Sequence, residues 1–185
     1  MVLARTKRVA ISLENIAAFE SGLTFALVVR LAPSEEKWRE GEGLSALHGR
    51  HFGQDRPPTP IDPAILRFGV EYADGRRVTN VWTDMLPFFG STEGPVLSSS
   101  SGGMSERDGY TQYWMAPLPP PGRVMFAVEW PSRNLAFTSI DVDADVFKEA
   151  ATRSVSMWPE PEPDETTGRS VWQSIPHRRL HRGPK

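Results

Sequence analysis

Residues 110–131, YTQYWMAPLPPPGRVMFAVEWP, constrain the fold most, because two strand-like runs flank three consecutive prolines. On the second run Val124, Phe126, Val128 and Trp130 alternate with Met125, Ala127 and Glu129, the period of two that a strand with one buried face requires. On the first, Tyr110, Gln112, Trp114 and Ala116 share one side and Thr111, Tyr113 and Met115 the other. Pro119, Pro120 and Pro121 offer no N–H to a ladder, so the chain must leave the sheet before Gly122 supplies a turn. The pattern predicts a central hairpin. Val124, Phe126, Val128 and Trp130 are expected in the core, and Tyr113 and Met115 are the first candidates for contact.

Similar alternation recurs elsewhere. Val9, Ile11 and Leu13 lead through a change of phase at Glu14-Asn15, which predicts a bulge or a short helical turn. Ser21-Gly22 then turns the chain into Leu23, Phe25, Leu27, Val29 and Leu31. Leu66, Phe68, Val70 and Tyr72 alternate up to Asp74-Gly75, a pair that predicts a type I′ hairpin turn. A shorter strand is expected over 136–142. The period then lengthens to about 3.6, with Phe147, Ala151, Val155 and Trp158 on one helical stripe, Asp143 or Asp145 as N-cap and Pro159 as the stop.

With 17 prolines and 15 glycines in 185 residues, short strands joined by turns fit better than a helical bundle. The expected architecture is all-β: an antiparallel two-layer sandwich of about seven or eight strands with one C-terminal helix, or alternatively a partly closed barrel. One domain is expected over 1–158, with long connections at 32–63 and 83–108. Trp38, Leu44, Leu47 and Phe52 are the residues able to tack the first connection to the core, and the Ser/Gly run at 98–103 reads as a mobile linker. Residues 159–185, acidic and proline-interleaved and then basic, read as a disordered tail.

The segments FGVEYADGRRVTN at 68–80 and PLPPPGRVMFAVEWP at 117–131 resemble small bacterial proteins, without assigned activity, that pair F-G-V-x-[YF]-A-D-G-R-R-x-T-N with P-L-P-P-P-G and E-W-P. The resemblance covers roughly residues 65–158. It implies that both segments belong to one β-rich domain, and it implies no substrate, cofactor or catalytic residue.

Composition excludes several chemistries. Cysteine is absent, so disulfides, thiolate nucleophiles and Cys-based metal sites are ruled out. A net charge of −2 sets up no global field for nucleic acid or an anionic membrane. No apolar run approaches the roughly 18 residues of a membrane span, and the absence of a signal-peptide pattern leads to a cytoplasmic expectation. The sequence lacks G-x-S-x-G, a Walker-type loop and a dinucleotide fingerprint. Asp141, Asp143 and Asp145 are spaced to share one face of a strand, yet Val146 and Thr152 stand where an EF-hand needs Gly and Glu, so a solvated Asp141 and a helix start are the expectation. His48 and His51, like His177 and His181, lack the Glu of H-E-x-x-H and read as exposed loop histidines. Pro117 to Pro121 satisfies P-x-x-P but reads as a rigid corner between adjacent strands.

No catalytic residue, metal or cofactor is therefore assigned. Aromatic surface is the remaining functional signal, since Trp82, Tyr110, Tyr113, Trp114 and Trp130 cannot all point inward on strictly alternating strands. The candidate contact residues are Trp82, Tyr113, Trp114, Met115 and, in the tail, Trp172. The expected function is a non-enzymatic cytoplasmic binding or adaptor module that engages a protein partner. The alternatives are small-ligand or carbohydrate binding in a sandwich groove lined by Trp82, Tyr113 or Trp114, and a metal-assisted or acid/base hydrolase using His48, His51 and a nearby Asp.

Overall fold

The computed structural model describes residues 1–39, 42–48, 61–81 and 94–155, apart from the side chains of 44 and 48. The chain divides into two units, Met1–Ser154 and Val155–Lys185, and the fold described here is that of the first. Its order is β1 (Val2–Arg5), β2 (Val9–Phe19), β3 (Gly22–Leu31), α1 (Glu42–His48), β4 (Arg67–Glu71), β5 (Arg77–Thr79), β6 (Val96–Met104), β7 (Asp108–Ala116), β8 (Arg123–Trp130), a 3₁₀ turn (Pro131–Arg133), β9 (Leu135–Asp143) and α2 (Asp145–Ala151). The strands form two antiparallel sheets, β1-β2-β3-β7-β6 and β5-β4-β8-β9. The sheets do not close into a barrel; the molecule is an all-β sandwich with a C-terminal helix.

Alternation explains the core. Leu23, Phe25, Leu27 and Val29 from β3 and Tyr113 and Met115 from β7 face Phe68 and Val70 from β4 and Val124, Phe126 and Val128 from β8. Phe25 meets Phe68 edge-on at 5.8 Å and Phe126 at 6.3 Å, and Tyr113 stacks on Phe68 at 6.0 Å, so the two sheets are joined through ring contacts. Phe147 of α2 meets Phe126 edge-on at 6.2 Å, which places the helix against the end of this cluster.

The central segment departs from expectation. β7 pairs with β3 and β6, whereas β8 pairs with β4 and β9, so the proline run is the corner by which the chain changes sheets and not a hairpin between adjacent strands. The Ala116–Pro117 bond is cis, and the Tyr72 hydroxyl donates to the Pro117 carbonyl at 2.8 Å. Prolines suit this position because neither sheet needs their missing N–H. Tyr113 and Met115, expected on a contact face, are 2% and 0% exposed in the core.

Local turn chemistry follows the sequence with one change. The phase shift in β2 is a bulge between Glu14 and Ala17, with Asn15 at φ 52°, a left-handed conformation that asparagine tolerates. At 74–75 only Gly75 takes a positive φ, 84°; its N–H donates to the Tyr72 carbonyl, and the Tyr72 N–H donates to Arg76. The connection is therefore the three-residue form closed by a left-handed glycine, and the expected type I′ turn is replaced. Asn80, which ends the FGVEYADGRRVTN segment, is buried: its Oδ1 accepts from the Phe68 N–H at 2.7 Å and its Nδ2 donates to the Leu66 carbonyl at 2.8 Å. That segment thus carries its own tether for β4.

The run at 98–103 belongs to β6 and pairs with β7, with a register shift between Ser99 and Ser101. Tyr110 lies over Gly103, where an added Cβ would sit 2.7 Å from the ring. An aromatic ring across from a glycine supplies the packing that the strand's own residues lack. In the first connection Trp38 stacks on Trp130 at 5.9 Å, and the Arg133 guanidinium lies 5.2 Å from the Trp38 ring and 5.7 Å from the Trp130 ring. Glu35 holds this group through Arg8 at 2.9 Å and Arg133 at 3.3 Å. Leu47 of α1 is fully buried, whereas Phe52 and the Leu44 side chain lie outside the described residues.

Candidate functional site

The outer face of the five-stranded sheet is built in cross-strand rows. Arg5, Ala10, Arg30 and Asp108 form one; Val2, Ser12, Val28, Tyr110 and Gly103 the next; then Glu14, Ala26, Gln112 and Ser101; then Ala17, Thr24, Trp114 and Ser98. Small residues, Ala10, Ser12, Ala26 and Thr24, recur in the middle of these rows, and the rings of Tyr110 and Trp114 stand in two of them. Tyr110 is 43% exposed and Phe19 41% exposed, and Phe19 packs against half-buried Trp114 at a centroid distance of 5.9 Å. Gly22 allows this arrangement: a Cβ there would lie 2.3 Å from the Met115 carbonyl oxygen and 2.9 Å from the Trp114 ring.

Toward the Arg30 end the face opens into a groove of about 540 Å³, lined by Ala26 and Val28, by Glu14 and Arg30, and by Gly103, Ser105, Asp108 and Tyr110. Arg30 binds Glu14 with both guanidinium arms, at 2.5 and 3.1 Å, and the Ser12 hydroxyl donates to the same carboxylate at 2.7 Å. These donors hold the Glu14 carboxyl at a pKa of about 2, well below the usual carboxylate range. Asp108 is engaged more loosely, 3.9 Å from Arg30 Nε and 3.4 Å from the Ser105 hydroxyl. Gln112, which also lines the groove, donates through Nε2 to Thr24 at 2.6 Å.

The outer face of the four-stranded sheet is finished differently. Glu71 takes Arg77 at 2.7 Å and Arg123 at 3.6 Å, Arg123 reaches Asp141 at 3.5 Å, and Arg67 binds Glu129 at 2.6 Å. Between these pairs lie Gly69, Ala127 and Ser139 in one row. Phe137 is its one large exposed apolar side chain among the described residues.

Of the residues singled out from sequence, Trp114 lies on the aromatic face and Tyr113 and Met115 lie beneath it in the core. Trp82 and Trp172 lie outside the described residues. The structure therefore separates Tyr113 from Trp114 onto opposite faces of β7. Sequence reasoning missed Phe19, Arg30 and Glu14; the bulge at Glu14-Asn15 was the available signal, since it turns part of β2 outward beside β3. Asp141 pairs with Arg123, and Asp143 accepts the Asp145 backbone N–H at 3.0 Å, but the N-cap of α2 is Ala144, with no side-chain cap, and neither Asp143 nor Asp145 takes that position. Among the described residues no group of three His, Asp or Glu side chains converges to hold a metal, and no helix is long and apolar enough to cross a membrane. His51 and the side chain of His48 lie outside those residues. No protein-family model matches the chain, and no curated protein or solved structure matches it.

Proposed function

We propose that the protein is a non-enzymatic cytoplasmic binding or adaptor module that engages a protein partner through the outer face of its five-stranded sheet. The observation that carries this reading is the grouping of Phe19, Tyr110 and Trp114 on one hydrogen-bonded face. Rings fixed on paired strands supply contact area at little cost in conformational entropy, which is why Trp and Tyr dominate interface energetics. The proposal predicts a saturable partner when tagged protein is used to capture binding proteins from native lysate, with capture lost in Trp114→Ala. Absence of any saturable partner, with or without residues 159–185, would remove it.

A second reading, binding of a small ligand or carbohydrate, is favoured by the groove itself, where the Tyr110 ring stands beside the polar groups of Glu14, Arg30 and Gln112. The two readings separate on size. A macromolecular contact loses affinity on Phe19→Ala, whereas a ligand confined to the groove does not, because Phe19 is not among the groove's walls.

A further inference from the structure

We infer that the groove beside Tyr110 receives a cationic side chain, arginine or lysine, from the protein that docks on this face. The inference rests on the binding-face reading above and adds the chemistry of the partner. Three formal charges line the groove: Glu14 and Asp108 against Arg30, a balance of one negative charge. Arg30 is already committed, because both of its arms are on Glu14. Asp108 is not comparably held: its contact with Arg30 is 3.9 Å, that with the Ser105 hydroxyl 3.4 Å, and its side chain is 61% exposed. The exposed Tyr110 ring adds a face that attracts cations. The unspent capacity of the groove is therefore acceptor capacity and negative charge. An incoming carboxylate would meet Asp108 first, and a neutral side chain would leave its charge unanswered.

The positive groups nearby set the orientation. Arg5 stands in the same row as Arg30 with Ala10 between them, and Arg5 and Lys7 line a separate open groove at that end of the sheet. A cation is thereby directed to the Tyr110 and Asp108 side of Arg30.

The test uses the full chain labelled with ¹⁵N and titrated with N-acetyl-arginine N-methylamide, with the citrulline analogue as a neutral isostere. The inference expects saturable shifts at the amides of Gly103, Tyr110, Gln112 and Glu14, with affinity weakened about fivefold for citrulline and for Asp108→Asn. Glu14→Gln, which frees Arg30 to compete for Asp108, weakens it in the same direction and serves if Asp108→Asn fails to fold. Non-saturating shifts, equal affinity for citrulline, or unchanged affinity in a folded variant would overturn the inference. A captured partner that is lost in Trp114→Ala yet indifferent to Asp108→Asn and Glu14→Gln would leave the binding face standing and remove the cation from it.

Discussion

The five-stranded sheet turns Phe19, Tyr110 and Trp114 outward over small residues, whereas the four-stranded sheet crosses its outer face with Glu71, Arg77, Arg123 and Asp141 in one connected set and with the pair Arg67–Glu129. Both faces belong to antiparallel ladders, and both have small residues in their central rows. The difference lies in where their side chains find partners. On the four-stranded sheet the charges satisfy one another in place, and Phe137 stands alone there as a large exposed apolar side chain among the described residues. On the five-stranded sheet the rings of Phe19 and Tyr110 keep about two-fifths of their surface exposed, and the binding-face proposal assigns that area to a second molecule.

The comparison can be broken at several points. The largest effect is expected from Gly22→Ala. Its Cβ would press on the Met115 backbone carbonyl, so the β3–β7 ladder itself must give way, at a cost of about 3 kcal/mol in urea unfolding. An unchanged midpoint would show that the approach of these strands is not what orders the aromatic face. Trp114→Ala should cost less, about 1–2 kcal/mol, because the ring is half-buried, while abolishing partner capture. Glu71→Ala on the opposite face should cost about 0.5–1 kcal/mol, less still in high salt, and leave capture intact.

The smallest effect concerns acid. The folded pKa of Glu14 is depressed to about 2 from an ordinary 4.5, so its stabilising contribution is fully present above the ordinary value and is lost as pH falls from there through about 2. Glu14→Gln should therefore be less stable than the parent near neutral pH, and the gap should close as the pH approaches 2. Unfolding midpoints across that window check it; a gap that persists at the acid end would place the effect outside the Arg30–Glu14 pair.

Much of the fold was legible because period two survives in Val124 to Trp130, in Leu23 to Leu31 and in Leu66 to Tyr72. Alternation identifies two faces but not which one is inward. On β7 both faces carry rings, and the choice is made by β3, where Thr24, opposite Trp114, faces out and Phe25, opposite Tyr113, faces in. That pairing is long-range and left no mark in the local pattern. For the same reason the proline corner read as a hairpin: its residues report that the chain turns, and only β4 and β9 report that β8 lies in the other sheet. β6 was missed because four serines and two glycines show no alternation, and its packing comes from Tyr110 on the neighbouring strand. Aromatic excess puts Trp114, Tyr113 and Met115 forward alike, and only Trp114 faces outward, since Tyr113 and Met115 are in the core.

The most direct test sets the two faces against each other in one capture experiment. Tagged protein carrying Tyr110→Ala with Trp114→Ala is compared with protein carrying Glu71→Ala with Arg123→Ala, each confirmed as folded by its amide spectrum, and saturable capture from native lysate is measured. The binding-face account predicts that the first pair loses the partner and the second retains it with unchanged affinity. Retention by the first pair and loss by the second would contradict it.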